Sequence, residues 1–184
     1  MNYLVATFLL MMAAFHSLRG EPYKRIANKD PSGCTIALDD HSVWKVSPGY
    51  ESQCRYFQPG DLIVIHQVIL PSLCNGSKYY FVNQSNKAHI NLADLCLGPV
   101  DENDNSIRIE NIDYFQGRLW LVDQKGECIV WRINGDDIPV LHSWDSGQHI
   151  IIGSNTRYRE HIASDCDYIL INVEKRNYIQ ADHL

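Results

Sequence analysis

The residues whose types could do chemistry fall into three acidic and histidine-bearing groups: Asp39-Asp40-His41, Asp136-Asp137, and Glu160-His161 with Asp165 and Asp167. Carboxylates and imidazoles of this kind ligate hard or borderline cations and serve as general acids and bases. Their spacing works against a shared site. Neighbouring residues of a strand point to opposite faces, so one carboxylate of each adjacent pair faces away from a common ligand unless a turn redirects it. The groups are therefore expected to be solvated turns, and neither a metal centre nor a cofactor is expected. No His-Glu-x-x-His, Cys-x-x-Cys or phosphate-cradling glycine run occurs in the chain. Gly49-Tyr50-Glu51-Ser52 and Gly153-Ser154-Asn155 do not make a nucleophile elbow. A hydrolase would have to assemble its site from distant residues between two units, with Asp39, His41, Asp136, Asp137 and His161 as its candidates.

Six cysteines, Cys34, Cys54, Cys74, Cys96, Cys128 and Cys166, form an even set that suits disulfides. Pairing within each half would join Cys74 to Cys96 and Cys128 to Cys166. The alternative is that the cysteines are buried thiols packed as small apolar groups.

The elements that must position these residues show themselves when the sequence is laid on itself. At an offset of 87 residues, Val43-Trp44-Lys45-Val46 falls on Val130-Trp131-Arg132-Ile133 and Phe57-Gln58-Pro59-Gly60 on Trp144-Asp145-Ser146-Gly147. Ile63-Val64-Ile65 then falls on Ile150-Ile151-Ile152, and after a two-residue adjustment Lys87 and Ile90 meet Arg176 and Ile179. This is the pattern of a duplicated module. Each copy reads as β hairpins: Thr35–Leu38 and, in the second copy, Leu119–Val122 lead through polar turns into the Trp-bearing strands. Turn residues such as Pro48-Gly49, Asn134-Gly135, Pro59-Gly60-Asp61 and Ser146-Gly147 recur every eight to twelve residues.

The expected fold is all-β, with two tandem small antiparallel barrels or rolls at residues 21–97 and 107–184, joined by an acidic, turn-rich linker at 98–106. A single β-sandwich has the same local pattern and is the alternative. Units this small bury too little surface to be robust alone, so they should share an interface or be stapled by disulfides. Trp44, Phe57, Trp131 and Trp144 occupy matching positions and are expected in the core. The competing reading makes them an exposed aromatic platform for sugar or peptide.

The segment Leu38-Asp39-Asp40-His41-Ser42-Val43-Trp44-Lys45-Val46, followed by Phe57-Gln58-Pro59-Gly60-Asp61, resembles a group of uncharacterised exported bacterial proteins. Their module carries a duplicated Leu-x-Asp-Gly-Ser-x-Trp-x-Val segment and then Trp-x-Pro-Gly-Asp. Here His41 replaces the Gly and Phe57 the second Trp, and the second copy keeps Trp131, Trp144 and Gly147. The resemblance implies a compact β fold and export; it carries no activity and no catalytic residue.

Export is also suggested by the leader, because the apolar run from Tyr3 to Phe15 has thirteen residues. That is signal-peptide length and short of the ~20 residues needed to span a bilayer. Sixteen Lys and Arg against twenty-two Asp and Glu give a net charge of −6, which disfavours nucleic acid as a partner. Asn75-Gly76-Ser77 and Asn83-Gln84-Ser85 match the N-glycosylation sequon, and Arg157-Tyr158-Arg159-Glu160-His161 reads as a loop. The expectation is an exported protein that binds an unidentified protein or glycan. A hydrolase and a disulfide-stabilised structural protein of the envelope are its rivals. The exported product should begin at Glu21, with residues 1–20 removed; intact-mass measurement checks this, and a product that retains Tyr3–Phe15 overturns the leader reading.

Overall fold

Alternation of apolar and polar residues with a period of two gives short strands with one dry face at Thr35–Leu38 and Val43–Val46. The apolar runs at Leu62–Gln67, Tyr79–Asn83, His149–Ser154 and Tyr168–Asn172 are instead buried on both faces. The computed structural model describes residues 22–32, 35–68, 76–87, 90–99, 103–155 and 165–184. The expected signal peptide lies outside them. Six strands form the first unit: β1 (Tyr23–Lys29), β2 (Thr35–Leu38), β3 (Val43–Val46), β4 (Leu62–Gln67), β5 (Tyr79–Asn83) and β6 (Ile90–Leu97). Six more form the second: β7 (Ile107–Asp113), β8 (Arg118–Asp123), β9 (Cys128–Ile133), β10 (His149–Ser154), β11 (Tyr168–Asn172) and β12 (Asn177–His183).

The fold is all-β, and both units close. In the first, the order β1-β2-β3-β6-β5-β4 returns to its start because β4 pairs with β1, Ile63 opposite Lys24. In the second, β7-β8-β9-β12-β11-β10 returns because β10 pairs with β7, Ile150 opposite Ile107. Every neighbour within a ring is antiparallel, and the order 4-1-2-3 within each ring is a Greek key. Closure leaves no open sandwich edge.

The rings correspond closely. Ile36 and Leu38 match Leu119 and Leu121: Ile26 lies opposite Leu38 as Ile109 lies opposite Leu121. A one-residue slip would turn every side chain to the other face. Both first strands also carry a bulge at the same place, between Ile26 and Asn28 and between Ile109 and Asn111.

Trp44, Phe57, Trp131 and Trp144 are all 0% exposed and fill the two rings. Trp44 meets Tyr79 and Phe81 edge-on at 5.5 and 5.2 Å, and Trp131 meets Tyr168 at 5.2 Å. Trp44 Nε1 donates to Ser42 Oγ (3.0 Å) and Trp144 Nε1 to Asn177 Oδ1 (2.8 Å). Trp131 Nε1 has no hydrogen-bond acceptor. Ile129 stands in the second ring where Ser42 stands in the first.

The units share an interface. A parallel bridge sets Ser154 of β10 beside His66 of β4. Alternating residues of the second ring part company there: Ile150, Ile152 and Leu170 face its own core, while Ile151, Ile169 and Ile171 join Ile63, Ile65 and Phe81 of the first. Gly153 is needed at the crossing, since a Cβ there would lie 2.6 Å from Ile65 O and 2.8 Å from Ile169 Cγ1. Gly153→Ala should therefore destabilise by ~1–3 kcal/mol through overpacking. Gly135→Ala, where a Cβ meets nothing within 4 Å, should change stability much less in the same urea titration. Equal effects would remove the seam's claim to close packing.

Candidate functional site

The sequence candidates are best placed by what each side chain is bonded to. Asp39 and Asp40 make the turn from β2 to β3, and Asp40 is completely buried. Its Oδ1 accepts from Ser42 N (2.9 Å) and its Oδ2 lies 3.0 Å from Nζ of Lys24, itself buried on β1. Burial pushes the Asp40 carboxyl up, but the Lys24 ammonium and the hydrogen bonds from Ser42 outweigh it and hold the group below its ordinary value. Asp39 goes the other way: burial raises it more than Lys24 and the backbone lower it. Its carbonyl accepts from Asn103 Nδ2 (3.0 Å) and Asn105 Nδ2 (3.3 Å), which ties the inter-unit segment to the first ring. His41 is exposed at φ +66° on the same turn.

Asp136 and Asp137 belong to the second ring. They form a short 3-10 turn that leads into α1 (Ile138–Leu141), a single helical turn. Asp137 Oδ2 accepts from Gln180 N (2.7 Å), and burial raises this carboxyl. Each acidic pair thus organises the backbone of its own ring. Among the described residues no three His, Cys, Asp or Glu side chains gather as a metal site. His161 lies outside the described residues.

The aromatic platform does not form, because Trp44, Phe57, Trp131 and Trp144 offer no surface to a ligand. The cysteine pairing also needs correction. Cys96 and Cys128 are exposed thiols, so neither Cys74–Cys96 nor Cys128–Cys166 is joined; Cys34 and Cys74 lie outside the described residues. Cys128 opens β9 and Cys166 precedes β11, with β12 lying between these two strands. Two strand spacings are about 9.5 Å, beyond the ~7 Å that a disulfide bridges between Cα atoms. Cys54 and Cys166 are buried. The sequon at Asn83 is closed as well: Asn83 is 0% exposed, and its Nδ2 donates to Tyr56 O (3.0 Å) and Asp61 Oδ2 (2.6 Å). Asn75 lies outside the described residues.

Two arrangements were not singled out from sequence. One is the turn from β7 to β8, where Phe115 is 98% exposed and Tyr114 38%. Asp113 Oδ1 accepts from both Phe115 N and Gln116 N at 2.9 Å, an Asx turn that fixes the backbone. Tyr114 stacks on His142 (4.9 Å, 11°), and its hydroxyl donates to Trp144 O (2.9 Å). The ends of the turn and of α1 touch, for a Cβ on Gly117 would lie 3.0 Å from Ile138 Cδ1. The signal was an apolar Tyr-Phe pair at turn positions, where polar residues are the rule.

The other is a polar interruption of the seam. Tyr80, His66, Ser154 and Tyr168 are successive cross-strand partners, with Leu92 and Ala181 at either end of the row. His66 stacks on Tyr80 (5.0 Å, 12°), and the neighbouring Gln67 Nε2 donates to Asn155 Oδ1 (2.9 Å). His66 and Ser154 stand at the ends of strands whose pairing is set by the whole fold, which no local motif announces.

Comparison with family models, with curated proteins and with solved structures finds no match to this chain. No helix among the described residues is long and apolar enough to cross a membrane.

The Lys24–Asp40 pair yields a stability test. Asp40→Asn leaves a buried ammonium without its counter-charge and should cost ~3–5 kcal/mol. Because the unfolded chain holds the Asp40 proton to higher pH than the fold does, the pair's stabilisation is complete above the ordinary value of 3.8. It is lost as pH falls from there through the lower folded value. Urea unfolding across acid pH should show that loss in the parent and not in a Lys24→Met, Asp40→Leu double variant; identical profiles would contradict it.

Proposed function

We propose that this is an exported binding protein, acting by contact with a protein or glycan and not by turnover. The observation that carries the reading is Phe115. A benzyl side chain held in water forgoes ~1.5–3 kcal/mol that burial would supply, and here the turn that presents it is fixed by Asp113, Tyr114 and His142. Rigid aromatic groups of this kind are the usual anchors of interfaces. The export half of the proposal rests on the apolar run Tyr3–Phe15. The filled rings support contact at the surface, since Trp44, Phe57, Trp131 and Trp144 occupy the space that an enclosed ligand would need.

A hydrolase is favoured by one placement. His66 and Ser154, each 5% exposed, are bridge partners on one face where the two rings meet. A serine hydroxyl beside an imidazole is the elementary nucleophile and base pair.

One experiment separates the readings. Thermal unfolding of the full chain is followed against a panel of glycans, peptides, small metabolites and divalent cations, in parallel with chromogenic ester and peptide turnover. A specific ligand at one hundred times its dissociation constant adds ~2.7 kcal/mol of stability and raises the midpoint. The expected result is a midpoint shift that Phe115→Ser abolishes, with no turnover. Turnover that disappears in Ser154→Ala would replace the binding reading with the hydrolase.

A further inference from the structure

The two rings are an internal control for what their architecture requires. Asp30 and Asp113 occupy matching turns: Lys29 lies opposite Ile36 as Ile112 lies opposite Leu119. The residues after them are Pro31 and Ser32 in the first ring, but Tyr114 and Phe115 in the second. The helical segments before Phe57 and Trp144 match in the same way. Cys54 and Leu141 are their shared buried position. Around it the first ring has Glu51, Ser52, Gln53 and Arg55; the second has Ile138, Pro139, Val140 and His142. An ordinary polar surface therefore suffices for the fold at this end of a ring. The second ring departs from it at the turn, where Tyr114 and Phe115 are exposed; in α1, Ile138 and Val140 pack half-buried against the core and Pro139 alone of the apolar residues is exposed.

We propose that the face formed by the Tyr114-Phe115 turn and α1 docks a protein partner that offers an apolar pocket for Phe115 inside a rim of Lys or Arg. This rests on the binding reading above and names its surface and partner chemistry. The rim requirement comes from charge. Asp113 precedes the two aromatics and Asp136-Asp137 precede α1, whereas the exposed base beside the turn is Arg118. The nearby Asp145 and Arg132 are already matched, by Lys175 at 3.1 Å and by Asp182 at 3.0 Å. A second copy of this chain would bring the same carboxylates face to face, and an anionic membrane would repel them, so a basic partner fits best. The pinned turn lowers the ordering cost of binding, and Phe115 has the position of a hot spot, an apolar centre ringed by polar groups.

The test replaces Gln116 with a photo-crosslinking benzoyl-phenylalanine in the full chain, expressed in the cell that makes it, with the same probe at Tyr23 of the first ring as comparison. The expected result is a discrete heavier species from position 116 whose yield falls at least tenfold in Phe115→Ser and severalfold in Asp136→Lys, which alters an exposed charge whose carboxylate makes no bond to the ring. The partner identified in that species, once purified, should bind the chain with an affinity that weakens as salt is raised, and should carry Lys or Arg around the crosslinked site. Phe115→Ser should itself leave the unfolding midpoint unchanged, which separates lost contact from lost fold. Species that ignore Phe115→Ser, a species of twice the chain's mass, or lipid adducts with Phe115-dependent sedimentation on phosphatidylcholine and phosphatidylglycerol vesicles each overturn the proposal. Crosslinking to a partner from Tyr23 alone overturns this surface and leaves the binding reading standing. Crosslinking from neither position, together with a flat ligand panel, overturns both.

Discussion

Everything in this molecule depends on how one edge of β4, and the matching edge of β10, is divided. Along its first residues that edge of β4 pairs with β1 and closes the first ring; at His66 it leaves β1 and meets Ser154. β10 pairs with β7 at His149 and Ile150 and meets β4 at its far end. Because a continuous sheet keeps its faces, the inside of one ring runs on as the outside of the other. Ile151, Ile169 and Ile171 thus pack with Ile65 and Phe81, while the row through Tyr80, His66 and Ser154 runs on to Tyr168 and Ala181. Two units, each too small to bury much surface alone, in this way share one apolar layer. The same constraint makes Gly153 indispensable, since the crossing brings it against the Ile65 carbonyl.

Much of this fold was legible because its strongest signals are local. The Trp-bearing strands, the Ile-rich strands and the turns between them carry local signals, and the structure places them at corresponding positions of the two rings. What was missed has identifiable causes. β1 reads Tyr-Lys-Arg-Ile-Ala-Asn-Lys, where a core-facing position is occupied by Lys24, dry only because Asp40 neutralises it. A buried ion pair thus disguises a strand. In β7 the bulge after Ile109 shifts the alternation, so Ile112, and not Asn111, carries it onward. The Cys128–Cys166 expectation failed because pairing cysteines within a half ignores the strand, β12, that lies between them. At the surface, aromatic residues were sought at the repeated tryptophans, yet those are the residues the rings need most. The Tyr114-Phe115 turn carried information because it is not repeated.

The rings also show how loosely polar detail is tied to architecture. Both place an Asn at the end of the fifth strand of the ring, Asn83 and Asn172, and both bury it completely. Asn83 ties down Tyr56 and Asp61, whereas Asn172 reaches Gln148 and Lys175. Lys87 and Arg176 then hold the same left-handed turn, at φ +55° and +53°. Trp44 has Ser42 as acceptor; Trp131, with Ile129 in that place, has the rings of Tyr168 and His183 at its edges. An unpaired indole N–H is a cost of the order of 1–3 kcal/mol, and the second ring tolerates it.

The swapped faces at the seam also set an order of events during synthesis. The first ring holds all six of its strands before any of the second has emerged, so it can close early and from its own residues. Its closure still leaves Ile63, Ile65 and Phe81 short of the neighbours that β10 and β11 supply. Until those strands arrive, the nascent chain carries a folded barrel with one unfinished wall. The interval is the period of greatest exposure to misassembly, because sheet edges and apolar surface are what aggregation uses. The core that the first ring's strands began is therefore completed only by β10 and β11, made late in the chain.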